Sequence, residues 1–212
     1  MAVFASDTFT GADSTDLVAH DGGWTEHGSY ASGQMTLLSN RAVVTNGNSS
    51  RYYRDELPAG ANYEVEADLY FAENDGNNWN AGVMARADPT ANTAYWFHYF
   101  GFSTDSWQLH KYVAGTYTQL GSNVPETIAA GSTRNCRIQV NGTTIKGFVD
   151  DVEVISVTDS SIAAAGRAGI HIGPNSIATT GGIHIDNFSA DDALSGGGGG
   201  GVPIKAFRII HG

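Results

Sequence analysis

The chain is poor in cysteine, in basic residues and in long apolar runs, and each shortage excludes something. Its one thiol, Cys136, leaves no disulfide to form within the chain. That thiol sits in the apolar run CRIQV with no activating partner nearby in sequence, and reads as a buried structural group. Eleven Lys and Arg stand against 22 Asp and Glu, a formal charge of −11. This argues against nucleic acid as a partner, because phosphate neutralisation needs a basic surface. It argues equally against an anionic membrane surface. No stretch approaches the roughly 18 apolar residues of a membrane helix. The opening MAVFASDTFTG has no basic region followed by an apolar run, so no Sec leader is expected. The seven histidines show neither HExxH nor close pairing, which argues against a zinc site. A helical stripe is also missing: SSIAAAG, residues 160–166, supports one or two turns.

What the chain has in abundance is glycine, 27 residues, together with Ser, Thr, Asn and Asp, the mixture that makes turns. Between the turns run alternating segments. YEVEADLYF (63–71) places Glu64, Glu66 and Asp68 opposite Tyr63, Val65, Ala67, Leu69 and Phe71. AGVMARA (81–87), AYWFHYFGF (94–102) and SWQLHKYV (106–113) read as strands, the last two paired. Residues 34–45 read as a hairpin folded at Ser39-Asn40, and Ala114-Gly115 marks a further turn. Residues 134–157 read as a three-stranded meander, turning at Asn141-Gly142 and at Asp150-Asp151. AGIHI (168–172) and GIHIDNFS (182–189) complete the set. Many short strands with frequent turns predict an all-β antiparallel sandwich or barrel.

Composition divides the chain into a domain at 1–194, a polyglycine linker at 195–201 and an apolar, basic tail at 202–212. Without Lys205 and Arg208 the body keeps 9 basic residues against 22 acids, −13, and the tail carries +2. Val202, Pro203, Ile204, Phe207, Ile209 and Ile210 make the tail a poor solvated end and a candidate docking peptide.

DTFTGADSTDLVAHDGGWTEHG, followed by YEVEADLYF and AGVMARA, and later IKGFVDDVEVISVTDSSIAAAGRAGIHIG with IDNFSA, resembles the concanavalin A-like lectin/glucanase jelly rolls of the laminin-G-like branch. The resemblance spans roughly residues 4–190. It implies two stacked antiparallel sheets, one concave and one convex, with the DTF and IDNF strands adjacent. It also implies a domain type that hosts sugar binders, polysaccharide hydrolases and lyases, and structural modules, frequent in phage virions and on bacterial surfaces. Relatives hold a structural calcium near the paired termini, where Asp7 or Asp186 would lie; no ligand set is assigned. Laminarinase-type members carry Glu, Asp, Glu at alternate positions, and Glu64, Glu66, Asp68 does not match that order.

Three functional readings follow. The first is a non-catalytic decoration protein of a phage-like virion, assembled in several copies and anchored by its tail to other virion proteins. Its location would be the virion, or alternatively the cell surface or medium. The second is a carbohydrate-binding module, with Arg86, Trp96 and His98 on a sheet face and Trp79 at a loop tip. In AYWFHYFGF alternation puts Tyr95, Phe97 and Tyr99 on one face and Trp96, His98 and Phe100 on the other, so one set is core and the other is either a ligand platform or the packing surface of a neighbouring strand or subunit. The third is a hydrolase or lyase acting through Glu64, Glu66 or Asp68, whose same-face spacing of about 6.6 Å suits a carboxylate pair. On the first reading no enzymatic activity is expected, and Arg86 serves as counter-charge to those acids. The loop ENDGNNW, with Glu73, Asn74, Asp75 and Asn77, offers hard oxygen ligands of the kind calcium takes.

Overall fold

A computed structural model of the chain describes residues 2–30, 33–45, 48–73, 79–101, 105–173 and 182–194. The linker and the tail peptide lie outside these residues. The alternating segments become strands, in chain order β1 (Val3–Asp7), β2 (Trp24–Glu26), β3 (Met35–Leu37), β4 (Ala42–Val44), β5 (Ser50–Arg54), β6 (Tyr63–Phe71), β7 (Trp79–Asp88) and β8 (Thr93–Gly101). There follow β9 (Ser106–Val113), β10 (Thr116–Pro125), β11 (Thr133–Asn141), β12 (Thr144–Val149), β13 (Val152–Thr158), β14 (Arg167–Ile172) and β15 (Ile183–Asp191). They form two antiparallel sheets. The eight-stranded sheet runs β13-β12-β11-β6-β15-β4-β3, with β1 on β15; the seven-stranded sheet runs β10-β9-β8-β7-β14-β5-β2. Asp7 faces Phe188 across the β1–β15 ladder, so the terminal strands are adjacent as the resemblance implied.

The core is the meeting of two alternations. Tyr63, Val65, Ala67, Leu69 and Phe71 point inward from β6, and Cys136, Ile138 and Val140 from β11. They meet Tyr95, Phe97 and Tyr99 from β8, Val83 from β7, Trp107 and Leu109 from β9, and Ile170 from β14. Burying a side chain of this size stabilises by about 1.5–3 kcal/mol. Gly147 on β12 makes room for the Phe97 ring: a Cβ there would lie 2.5 Å from ring carbon Cδ2. Burial also pushes the Cys136 thiol up, away from the thiolate, which fits a structural role.

The turns follow their residues. Ser39-Asn40, Ala114-Gly115 and Asp150-Asp151 have positive φ at both positions, the I′ pattern that suits the strand twist. At Asn141-Gly142 the central pair is shifted by one. Asn141 pairs with Thr144, and only Gly142 has positive φ, the II′ pattern. Residues 160–166 form no helix; Ile162 is buried instead, its N–H donating to the Tyr95 hydroxyl at 3.3 Å. Among the described residues the α-helix is one turn, α1 (Leu17–His20), whose first amides donate to the Asp16 carboxylate.

Candidate functional site

The outer face of the seven-stranded sheet carries polar and aromatic side chains that are nevertheless buried. Register places them in two rows. One row crosses the sheet as Gln108 (β9), His98 (β8), Gly82 (β7), His171 (β14) and Arg51 (β5). The next runs His110, Trp96, Met84, Gly169 and Tyr53 on the same strands. Gly82 is required in its place: a Cβ there would lie 2.6 Å from His98 Cα. The Trp96 ring lies against both flanking imidazoles, its centroid 3.6 Å from His98 in a stacked arrangement and 4.1 Å from His171. Tyr117, from β10, stacks on His110 at 4.1 Å.

Burial sets the protonation of this group. His98 is 0% exposed, and burial, with His110 beside it, holds its imidazole well below the usual range. His171 is held well below it by burial, then by Arg51 and His98. Burial brings His110 down to about 4. All three are therefore neutral near pH 7, each with one N–H to donate and one lone pair. His98 Nε2 lies 2.8 Å from His110 Nδ1 and 3.4 Å from the Tyr117 hydroxyl. Trp96 Nε1, His98 Nδ1, both nitrogens of His171 and Asn80 Oδ1 are buried without a hydrogen-bond partner among the described residues. Each such atom costs about 1–3 kcal/mol. Five on three adjacent strands form a cradle of donors and acceptors suited to a polar ligand.

The residues expected to bind sugar separate. Trp96 and His98 share this face. Arg86, on β7, does not: its guanidinium donates to the carbonyls of Ala61, Ile162 and Gly142 at 2.8–2.9 Å, while its amide donates to the Tyr63 hydroxyl. Trp79 is no loop tip; it begins β7 and is buried in the core at 3% exposure. Sequence reasoning passed over His110, His171, Gln108, Asn80 and Tyr117. For Gln108, His110 and His171 the signal was present in SWQLHKYV and AGIHI, where polar side chains alternate with core residues.

The carboxylates lie on the other side of the molecule, on the outer face of the eight-stranded sheet. Glu64 accepts from Arg137 Nη1 at 3.0 Å and Gln139 Nε2 at 3.1 Å. Glu66 is 3.9 Å from Arg137 Nε, and burial pushes its carboxyl up against the pull of that cation. Asp68 accepts from Asn135 and Asn187 at 3.1 and 2.9 Å. The counter-charge is thus Arg137 of β11, not Arg86, because β6 pairs with β11 and β15 and not with β7. Asp7 is engaged by His20 Nε2 at 3.0 Å and Trp24 Nε1 at 2.7 Å. Asp186 sits opposite Asp68, and its oxygen accepts the Asn187 amide. Among the described residues, no three His, Cys, Asp or Glu converge as metal ligands. Asn74, Asp75 and Asn77 lie outside the described residues, as do Val202, Pro203, Ile204, Phe207, Ile209 and Ile210.

Known proteins share this architecture. Residues 7–190 match the family described as the 3-keto-alpha-glucoside-1,2-lyase-like domain. No curated protein sequence matches the chain. Among solved structures, the carbohydrate-binding module CBM66 from Bacillus subtilis is similar at TM-score 0.64 and 18% identity, covering 80% of this chain and 95% of that one. The Bacillus licheniformis beta-glucanase is similar at TM-score 0.60 and 13% identity, covering 92% and 100%. LamAcat from Zobellia galactanivorans is similar at TM-score 0.60 and 13% identity, covering 90% and 97%. These likenesses establish the concanavalin A-like fold. The expectation that the chain is not an enzyme is corrected by the family match, whose description is that of a lyase-like domain.

Proposed function

The chain belongs to the 3-keto-alpha-glucoside-1,2-lyase-like domain family, and on that premise we propose that the outer face of its seven-stranded sheet binds a keto sugar and cleaves it by imidazole base catalysis. The single observation that carries this is the row of neutral, buried imidazoles with unpartnered polar atoms around Trp96.

A ketone at C3 makes the C2 hydrogen acidic. A base removes that proton, the electron pair passes into an enolate on O3, and re-formation of the carbonyl expels the C1 oxygen substituent. The products are an unsaturated keto sugar and the released alcohol, which takes up one proton. The step needs a base with a free lone pair, donors for the enolate oxygen, and a flat apolar surface for the sugar ring. His98 Nδ1 is the base in this reading. His171 and Trp96 Nε1 are the donors, and the Trp96 indole is the surface. A neutral imidazole suits the task, since an imidazolium has no lone pair to offer. The sugar enters by displacing the indole from its stack on His98.

The test is incubation with a 3-keto-α-glucoside and with its unoxidised parent. Turnover of the keto form alone is expected. His98→Gln lowers kcat roughly 10²–10⁴-fold, the range for a general base. Tryptophan fluorescence changes on binding, and Trp96→Phe removes that change. Absence of turnover with keto glucosides, or full activity in His98→Gln, overturns the reading.

A further inference from the structure

His98 is fully enclosed, and its Nε2 faces two polar atoms at once: His110 Nδ1 at 2.8 Å and the Tyr117 hydroxyl at 3.4 Å. A neutral ring nitrogen has one hydrogen or one lone pair to offer, never both. The two contacts therefore share one hydrogen or one lone pair. With Nε2 bare, it accepts from the Tyr117 hydroxyl or from His110. With Nε2 protonated, it donates to His110 or to the phenol oxygen. Tyr117 itself is 43% exposed, whereas His110 is 4% exposed and His98 has no exposure.

We propose that Tyr117 is the proton port of the site, carrying hydrogen between the enclosed His98 and bulk solvent through its hydroxyl. When His98 Nδ1 takes a proton, Nε2 passes its own to the phenol oxygen, and the phenol's original hydrogen leaves to water. The imidazole returns to neutral with its hydrogen on the other nitrogen; no other bond changes. The groups facing His98 favour this exit. Gln108 and His110 flank it on β9, and His171 lies across Gly82 with Arg51 beyond. The Arg51 cation and two neutral imidazoles offer no carboxylate to hold an imidazolium, so an accepted proton is driven outward. Tyr117 touches no substrate here; it acts through His98. The role of the port in turnover rests on the reading of His98 as base, but its existence does not.

The decisive experiment is solvent exchange of the imidazole hydrogen shared by His98 and His110, followed by NMR on the full chain carrying ¹⁵N-labelled histidine. No sugar is added. Tyr117→Phe keeps the ring stacked on His110 and removes only the hydroxyl. Exchange is expected to slow about tenfold or more, the scale of one lost hydrogen bond. Gln119→Ala, which removes a neighbouring polar group of the same strand, is expected to leave it unchanged. An unaltered rate in Tyr117→Phe overturns the proposal, as does equal slowing in Gln119→Ala, which would mean loosened packing. Slowed exchange in a protein that turns over no keto glucoside supports the port and overturns the reading of the reaction, so the two failures are distinguishable.

Discussion

His98 Nε2 and His110 Nδ1 lie 2.8 Å apart, on adjacent strands, with both rings buried. The contact requires at least one of the facing nitrogens to lack a hydrogen, and burial keeps both rings neutral.

Acid sensitivity follows from that pair. An unfolded histidine titrates near 6.5 and His110 in the fold near 4, so between these values the unfolded chain binds more protons. The stabilisation is fully present above pH 6.5, falls as pH drops through that window, and is gone below about 4. The loss amounts to on the order of 3 kcal/mol for His110 alone. Denaturant unfolding at pH 7.5, 6 and 5 measures it, and His110→Gln is expected to flatten the curve.

Glu64 on β6 and Arg137 on β11 hold each other on the opposite face, with Arg137 Cζ 4.0 Å over the Phe148 ring. Glu64→Ala leaves a buried guanidinium with only the longer contacts to Glu66 and Asp151, and is expected to cost roughly 3 kcal/mol. Glu66→Gln is expected to leave keto-glucoside turnover within about twofold, since the proposed site is on the opposite face. Equilibrium unfolding and steady-state rates read the two effects separately.

Arg86 ties three chain segments together through the carbonyls of Ala61, Gly142 and Ile162. Arg86→Ala is expected to destabilise by at least about 3 kcal/mol, because buried acceptors lose their donors. Arg86→Lys should recover only part, since an ammonium cannot reproduce the planar fork. The melting temperatures of the two variants rank the effect.

Gly82→Ala is a probe of the site through its floor. A Cβ 2.6 Å from His98 Cα must push β7 and β8 apart. A cost of about 1–3 kcal/mol is expected, together with altered His98 and Trp96 resonances. Gly147→Ala, which crowds Phe97 in the core, should cost a similar amount without moving those resonances.

Much of this was legible in the chain itself. Alternation in YEVEADLYF and AYWFHYFGF assigned the core faces, because a strand's side chains must alternate sides whatever it pairs with. Ser39-Asn40, Ala114-Gly115 and Asp150-Asp151 marked their hairpin turns, because local sterics decide which residues take left-handed φ. The placing of Trp96 and His98 on one face followed from the same rule. What the sequence could not decide was which strands become neighbours. Pairing of β6 with β11 and β15 spans long stretches of chain and depends on the packing of the whole sandwich. Only that pairing gave Glu64 its partner Arg137 and kept Arg86 away from the carboxylates. In the other sheet, the pairing of β7 with both β8 and β14 brought His171 to the face that carries His98, His110 and Tyr117, where desolvation rather than residue identity holds the imidazoles neutral.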